Sequence, residues 1–171
     1  SIISITGVSG GTASESGTQV QTITIVDAQS APTVTLAAAS SSVGEDGSNV
    51  TVTATTSPAT YADITVSLST SGTATDDTDY ALDDTITISA GVTSGTATFN
   101  PTSDSHYDAS SNESATIEIS SVSGGSATES GTQTASITIV DAESAPTLSI
   151  ATDQTTRSET DADATLTATL T

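Results

Sequence analysis

The chain has 171 residues and a formal net charge of −20, and it contains no Cys, Met or Trp. Arg157 is its single Lys or Arg residue. This composition argues against nucleic-acid or anionic-membrane partners, both of which require basic patches. The absence of Cys excludes disulfides and thiol chemistry. No apolar run approaches the roughly twenty residues of a membrane span, so direct membrane insertion is not expected. We expect a cation as the small partner.

An internal repeat organises the chain. The segment 9–36, SGGTASESGTQVQTITIVDAQSAPTVTL, returns as 123–150, SGGSATESGTQTASITIVDAESAPTLSI. Asp27 aligns with Asp141, which gives a period of 114 residues without a gap. The length then corresponds to one whole repeat and parts of two others. We predict the C-terminal part of a preceding repeat at 1–30, a complete repeat at 31–145 and the N-terminal part of the next repeat at 146–171.

Within the complete repeat, apolar residues alternate with Ser and Thr at a period of two, the pattern of strands with one buried face. Gly, Pro, Asn and Asp separate these stretches, and no segment has a sustained helical period. The pattern predicts seven strands, at 34–36, 50–54, 64–68, 86–88, 97–99, 117–119 and 137–139. Seven short strands in a repeat of this length are typical of an all-β, antiparallel sandwich of immunoglobulin-like type.

Acidic residues cluster in the connections between these predicted strands. They are Glu45 after the first strand, Asp79 between the third and fourth, Asp104, Asp108 and Glu113 between the fifth and sixth, and Asp141 and Glu143 after the seventh. In an antiparallel sandwich these connections gather at one end. Oxygen ligands without His or Cys select calcium over zinc or copper. The sequence therefore predicts a calcium site, and the alternative is a solvated acidic face, the usual explanation for runs of charge.

Three stretches in combination resemble the Calx-β domain family. They are GTATDDTDY at 72–80, DSHYDASSNE at 104–113 and ITIVDAE at 137–143. The resemblance covers about 31–144 and extends into both flanks. It implies a seven-stranded sandwich whose calcium ligands are the seven acids just named.

The resemblance also has consequences for the flanks and for the Asp-Tyr pair. Asp27 and Glu159 would serve the calcium sites of their own repeats. Ala142 interrupts the run of acids that often closes the last strand in this family, and Gln29 replaces the equivalent of Glu143 in the preceding repeat. We therefore expect fewer calcium ions or weaker calcium binding. Tyr80 is expected to anchor the core rather than to bind an ion.

No catalytic arrangement is recognisable in the sequence. His106 is the only histidine and stands near Asp104 and Ser105, which suggests a nucleophile and a base. Adjacent residues rarely converge in this way, and nothing resembles an oxyanion hole. We therefore predict that the chain is not an enzyme.

The expected function is a structural, calcium-binding repeat of an extracellular rod, adhesin stalk or fibril at a cell surface, in which calcium stiffens the domain ends. Neighbouring repeats are the expected partners, with lateral or end-to-end self-assembly as a further expectation. One alternative is a calcium-independent, heavily glycosylated filament, with glycans at Asn49 in NVT, at Asn112 in NES or on Ser and Thr. The other is a calcium-sensing regulatory module, which the near-verbatim repeats disfavour.

Overall fold

The computed structural model describes residues 1–26, 28–107 and 112–171. The chain forms two compact units, Ser1–Ser30 and Ala31–Thr171. The predicted division into 1–30, 31–145 and 146–171 stays a prediction, although the first compact unit also ends at Ser30. The described part of the chain contains no helix that is long and apolar enough to cross a membrane.

Fourteen strands are present in the described residues. In chain order they are β1 (Ile2–Ser4), β2 (Val20–Thr22), β3 (Thr33–Ala38), β4 (Ser42–Gly44), β5 (Val50–Ser57), β6 (Ile64–Gly72), β7 (Tyr80–Ala81), β8 (Thr85–Ile88), β9 (Ser94–Pro101), β10 (Asn112–Ser123), β11 (Thr128–Glu129), β12 (Thr134–Val140), β13 (Leu148–Thr152) and β14 (Leu166–Leu170).

Strands β3 to β12 form a sandwich of two five-stranded sheets. One sheet has the order β4-β12-β10-β6-β8 and the other the order β11-β3-β5-β9-β7. The all-β sandwich predicted from the sequence is confirmed, and each of the seven predicted strands is present. The short strands β4, β7 and β11 were not predicted. Two of them pair in parallel, β4 with β12 and β11 with β3, so the sheets are not purely antiparallel.

The inward faces of the two sheets form one apolar core. Strand β5 shows the alternation, because Val50, Val52 and Ala54 are buried while Thr51 is exposed and Thr53 is half-buried. The pattern predicted from the sequence is therefore the pattern of burial. Most of the core side chains are Ala, Val, Ile and Leu, which have small or medium volumes.

The two largest fully buried side chains of this core are aromatic. The rings of Tyr80 and Phe99 stack with centroids 4.5 Å apart and an angle of 19° between their planes. Both residues are fully buried, and burial raises the pKa of Tyr80, whose hydroxyl hydrogen-bonds Thr70. The expectation that Tyr80 anchors the core is confirmed.

The segment that contains β3 and β4 contributes one strand to each sheet. Strand β3 pairs with β5, and β4 pairs with β12 after the chain crosses between the sheets at 39–41. Within the crossover, Ser40 Oγ accepts a hydrogen bond from Ser42 N at 3.2 Å, and Thr138 N donates to Ser41 O at 3.0 Å. Because β4 and β12 are parallel, the C-terminal ends of both strands lie at the same end of the sandwich.

Gly72 allows the end of β6 to pass close to the start of β10 at this end of the sandwich. Its φ is +127°, and a Cβ atom there would overlap the carbonyl oxygen of Ser114. Only glycine adopts such a conformation without strain. The amides of Thr73 and Ala74 then donate to Ser114 O at 2.9 and 3.0 Å, so the acidic loop after β6 begins beside the start of β10.

The stacked aromatic pair gives the first testable prediction. Replacing Tyr80 by Ala should lower the free energy of unfolding by about 3 kcal/mol or more, because a large buried ring leaves a cavity. Tyr61→Ala is the matched control, since Tyr61 is fully exposed, and it should change the stability by less than about 0.5 kcal/mol. Urea unfolding in metal-free buffer measures both values. Equal losses would contradict the assignment of Tyr80 to the core.

Candidate metal centre

Parallel pairing of β4 with β12 brings together acids that are distant in the sequence. Val140 lies opposite Gly44 at the ends of the two strands, and Glu45 N donates to Val140 O at 3.0 Å. Glu45 and Asp141 therefore leave their strands side by side. The chain turns immediately afterwards, because Glu143 N donates to Asp141 Oδ1 at 3.0 Å. This turn adds a third acidic residue to the same place.

Glu45, Asp141 and Glu143 offer carboxylate oxygens that all lie within 4.8 Å of one another. All three residues are half-buried. Glu45 Oε1 and Glu143 Oε2 are buried without a hydrogen-bond partner among the described residues. Buried polar atoms without partners are uncommon because they lose their interactions with water. The two oxygens are therefore positioned for a ligand that the described residues do not supply.

No basic side chain compensates this charge in the described part of the chain. Arg157, the only Lys or Arg residue, donates instead to the carbonyl oxygen of Asp161 at 2.6 Å. The facing Glu45 carboxyl, partial burial and the neighbouring Asp141 raise the pKa of Glu143 from 4.5 to about 7. Two facing carboxyls lie close together without repulsion only while one is protonated, and they repel each other when both are ionised.

Asp79 lies on a neighbouring loop and has a local role. Its Oδ2 accepts a hydrogen bond from Thr75 N at 2.7 Å and so stabilises a turn. Its carbonyl oxygen accepts from Thr102 N at 2.9 Å, which holds the loop beside the end of β9. Among the described residues, Asp79 is not part of the three-carboxylate group.

The acids between β9 and β10 are also outside that group. Asp104 is exposed, and its Oδ1 accepts from His106 N at 2.6 Å and lies 3.7 Å from His106 Nδ1. Glu113 is half-buried near the start of β10, opposite Ile139 of β12. Neither residue belongs to the described cluster of three carboxylates. Asp108 lies outside the described residues.

The two acids expected to serve flanking repeats give less information. Asp27 lies outside the described residues, and Glu159 is exposed. Within the described ranges, Glu159 does not belong to a cluster of metal-ligating side chains. The sequence had indicated one end of the sandwich for seven acids of the complete repeat. It did not indicate the short strand β4, which brings Glu45 against the end of β12.

The donor set of the cluster fits a hard divalent cation. It consists only of carboxylate oxygens, the ligands that calcium prefers, and contains no His or Cys. The half-buried position keeps the carboxylates partly away from water. Their mutual repulsion is therefore screened less than it would be on an exposed surface. A cation at this place would reverse that repulsion. Glu45, Asp141 and Glu143 are the residues that would hold it.

No protein-family model and no curated protein matches the sequence. Solved structures do match. The apo-form Calx CBD1 domain has a TM-score of 0.53 and 17% sequence identity, over 65% of this chain and 99% of that domain. CBD12 from CALX1.2 has a TM-score of 0.53 and 17% identity, over 63% of this chain and 44% of that one.

A second CBD12 structure agrees with these two. The calcium binding domain CBD12 of CALX1.1 has a TM-score of 0.50 and 18% identity, over 62% of this chain and 44% of that one. This chain therefore spans less than half of either CBD12 structure. The resemblance noted in the sequence is confirmed at the level of the fold: the chain folds like a Calx-β domain.

The raised pKa of Glu143 predicts how stability depends on pH in metal-free buffer. Because its pKa is about 7 in the folded state against an ordinary 4.5, the folded protein holds this proton more tightly than the unfolded chain does. The resulting stabilisation is complete below pH 4.5 and is lost as the pH rises through about 7. Urea midpoints should therefore fall across this range.

Two variants separate the site from general surface charge. Glu143→Gln removes the titrating group and should make the decline between pH 4.5 and 7 shallower. Glu118→Gln removes an exposed acid of β10 and should leave the decline unchanged. If both variants reduced it equally, repulsion across the whole acidic surface would be the better explanation.

Proposed function

We propose that the complete repeat binds calcium through Glu45, Asp141 and Glu143. The observation that carries the proposal is the convergence of three carboxylates, with Glu45 Oε1 and Glu143 Oε2 buried and without hydrogen-bond partners among the described residues. Calcium takes six to eight oxygen ligands from carboxylates, carbonyls and water. One of the similar structures is itself described as a calcium binding domain, which supports the proposal.

The remaining predicted ligands belong to the proposal as a wider set. Asp79 and Glu113 lie on segments that hydrogen bonds hold near the same end, through Thr73 to Ser114 and through β10 to β12. Asp104 lies two residues after Thr102, whose N donates to Asp79 O just beyond the end of β9. Loops of this kind can supply carboxylates to an ion once it neutralises their repulsion. Asp108 stays a predicted member of the set.

We further propose that the role of calcium is structural rather than catalytic. Glu143 stands three residues before Pro146, and the next strand begins at Leu148. Carboxylates of Asp141 and Glu143 tied to an ion would hold the chain still where one repeat leads into the next, and Pro146 already fixes one backbone torsion. Such a connection suits a stiff extracellular rod or adhesin stalk. Extracellular calcium modules bind the ion at about 10⁻⁴–10⁻³ M.

Calcium should therefore stabilise the folded chain. Free calcium at about a hundredfold above its dissociation constant would add about 2.7 kcal/mol to the free energy of unfolding, because only the folded state brings the ligands together. Melting temperatures in calcium and in chelator measure the gain. Equal melting in both conditions would reject calcium binding.

Substitutions assign that gain to particular residues. Asp141→Asn and Glu143→Gln keep the side-chain shape but remove a ligand charge, and each should remove most of the calcium-dependent gain. Glu143→Gln also reproduces the residue found at Gln29 in the preceding repeat. Glu118→Gln is the matched control on the outer face of β10 and should keep the gain. If the control lost as much as the others, diffuse screening would explain the effect of calcium.

The proposed stiffening predicts a change of shape in a longer chain. Three consecutive 114-residue repeats, studied by small-angle scattering, should reach a maximum dimension near the sum of their lengths in calcium. In chelator the maximum dimension should decrease and the distribution of interatomic distances should broaden, because the linker beside Glu143 becomes more flexible while each sandwich keeps its core. Equal extension in both conditions would mean that the linker and direct contacts set the stiffness.

A further inference from the structure

The strands outside the sandwich expose apolar side chains that resemble a core without its partner. In the hairpin formed by β13 and β14, Leu148, Ile150 and Leu166 have 66%, 65% and 72% of their surface exposed. In the hairpin formed by β1 and β2, Ile3 is 56% exposed. A pair of strands alone is at best marginally stable in water. We therefore expect further strands to pack against these apolar faces.

The register of β13 and β14 identifies their place in the fold. Leu148 lies opposite Leu170, and Ile150 lies opposite Ala168. In the complete repeat, the residues one period earlier make the same pairs, Val34 with Thr56 and Leu36 with Ala54. The β13-β14 hairpin therefore reproduces the β3-β5 hairpin residue by residue. All four of these earlier residues are buried.

The register of β1 and β2 gives the corresponding result for the other flank. Ile3 lies opposite Gln21, and one period later Ile117 lies opposite Ala135 in the β10-β12 pair. Ile117 is fully buried, whereas Ile3 is exposed. The β1-β2 hairpin thus has the pairing of β10 with β12 but lacks the sheet that faces them.

A loop in the first flank is also formed as it is in the complete repeat. Gln19 N donates to Glu15 Oε1 at 2.8 Å, just as Gln133 N donates to Glu129 Oε1 at 2.6 Å. In the complete repeat, the side-chain oxygen of Gln133 then accepts from Leu36 N of β3 at 3.3 Å. The loop in the flank therefore has the local bonds that, in the sandwich, accompany contact with a β3 strand.

The complete repeat shows what covers each hairpin. Strand β5 pairs with β9 along its free edge, while β10 and β12 lie in the sheet that faces β3 and β5. Strand β10 in turn pairs with β6. A β3-β5 type of hairpin is therefore buried by the strands that follow it in the repeat, from β6 to β12.

We propose that the apolar face of the β13-β14 hairpin is a docking surface for one polypeptide segment, a copy of 58–144 that continues the same chain. By the same argument, strands equivalent to β3 to β9 cover the β1-β2 hairpin. The proposal concerns the flanks alone and does not depend on calcium.

The sandwich of a second copy is a poorer occupant than this segment, and the β1-β2 hairpin of a second copy lacks the equivalents of β9 and β6 that pair with β5 and β10. If β13-β14 entered the sandwich of another chain, it would displace the β3-β5 hairpin and expose Val34 and Val52 in exchange. The exchange buries no additional apolar surface and costs the entropy of association. Only strands that are not already paired with a β3-β5 hairpin gain surface burial from the contact.

The test adds residues 58–144 after Thr171, so that Thr171 takes the place of Ser57 in a second repeat. Amide hydrogen exchange, measured in chelator, should become slower by on the order of a hundredfold or more in β13 and β14, as expected when a hairpin joins a cooperative core. The control is an extension of the same length in which the copies of Ile64, Ile86 and Phe99 are replaced by Asp. It should give no protection.

Two further measurements decide the remaining outcomes. In the extended chain, Leu166→Asp should abolish the protection, whereas in the 171-residue chain it should leave the melting of the sandwich unchanged. Unchanged exchange in the extended chain, or equal protection by the control extension, would overturn the proposal. So would a dimer of the 171-residue chain, seen by sedimentation, in which β13 and β14 are already protected, because a second copy would then be the occupant.

Discussion

The crossover at 39–41 ties the two sheets together and determines where the acidic residues lie. Strand β3 pairs with β5 in one sheet, and β4 pairs with β12 in the other. One short segment of chain thus supplies a strand to each sheet, and β4 is the edge strand of its sheet. It also places Glu45 directly after a strand that runs parallel to β12. The cluster with Asp141 and Glu143 is thus a consequence of the same pairing that holds the sandwich together.

The cluster also makes the stability of this strongly acidic chain depend on the ionisation of its carboxylates and on ions in solution. The core consists mainly of small and medium apolar side chains, with Tyr80 and Phe99 as its fully buried aromatic residues. Three carboxylates that repel one another at one end oppose folding when they are ionised. An ion bound there would convert this repulsion into attraction, and its binding free energy would become part of the folding free energy. A chain without lysine has few other means of offsetting such charge.

Sequence alone predicted the main strands because each of them alternates apolar with polar residues over several positions. It missed β4, β7 and β11, which have two or three residues each and are defined by their partners rather than by a pattern. The same limit applied to the site. Strand order predicted that the acids lie at one end, but the convergence of Glu45 with Asp141 depends on parallel pairing. The sequence also did not indicate that the carboxylate of Asp79 closes a local turn with Thr75 N, four residues earlier.

The matching registers of the two kinds of hairpin have a consequence for how the chain reaches its fold. The 171 residues contain two segments that can form a β3-β5 hairpin and two that can form a β10-β12 pair, but one set of β6 to β9. During synthesis the first β3-β5 hairpin meets those strands before its duplicate has left the ribosome, because domains fold as they emerge. A chain diluted from denaturant presents both duplicates at once. Refolding in a test tube then includes a competition between the two β3-β5 segments that the direction of synthesis avoids.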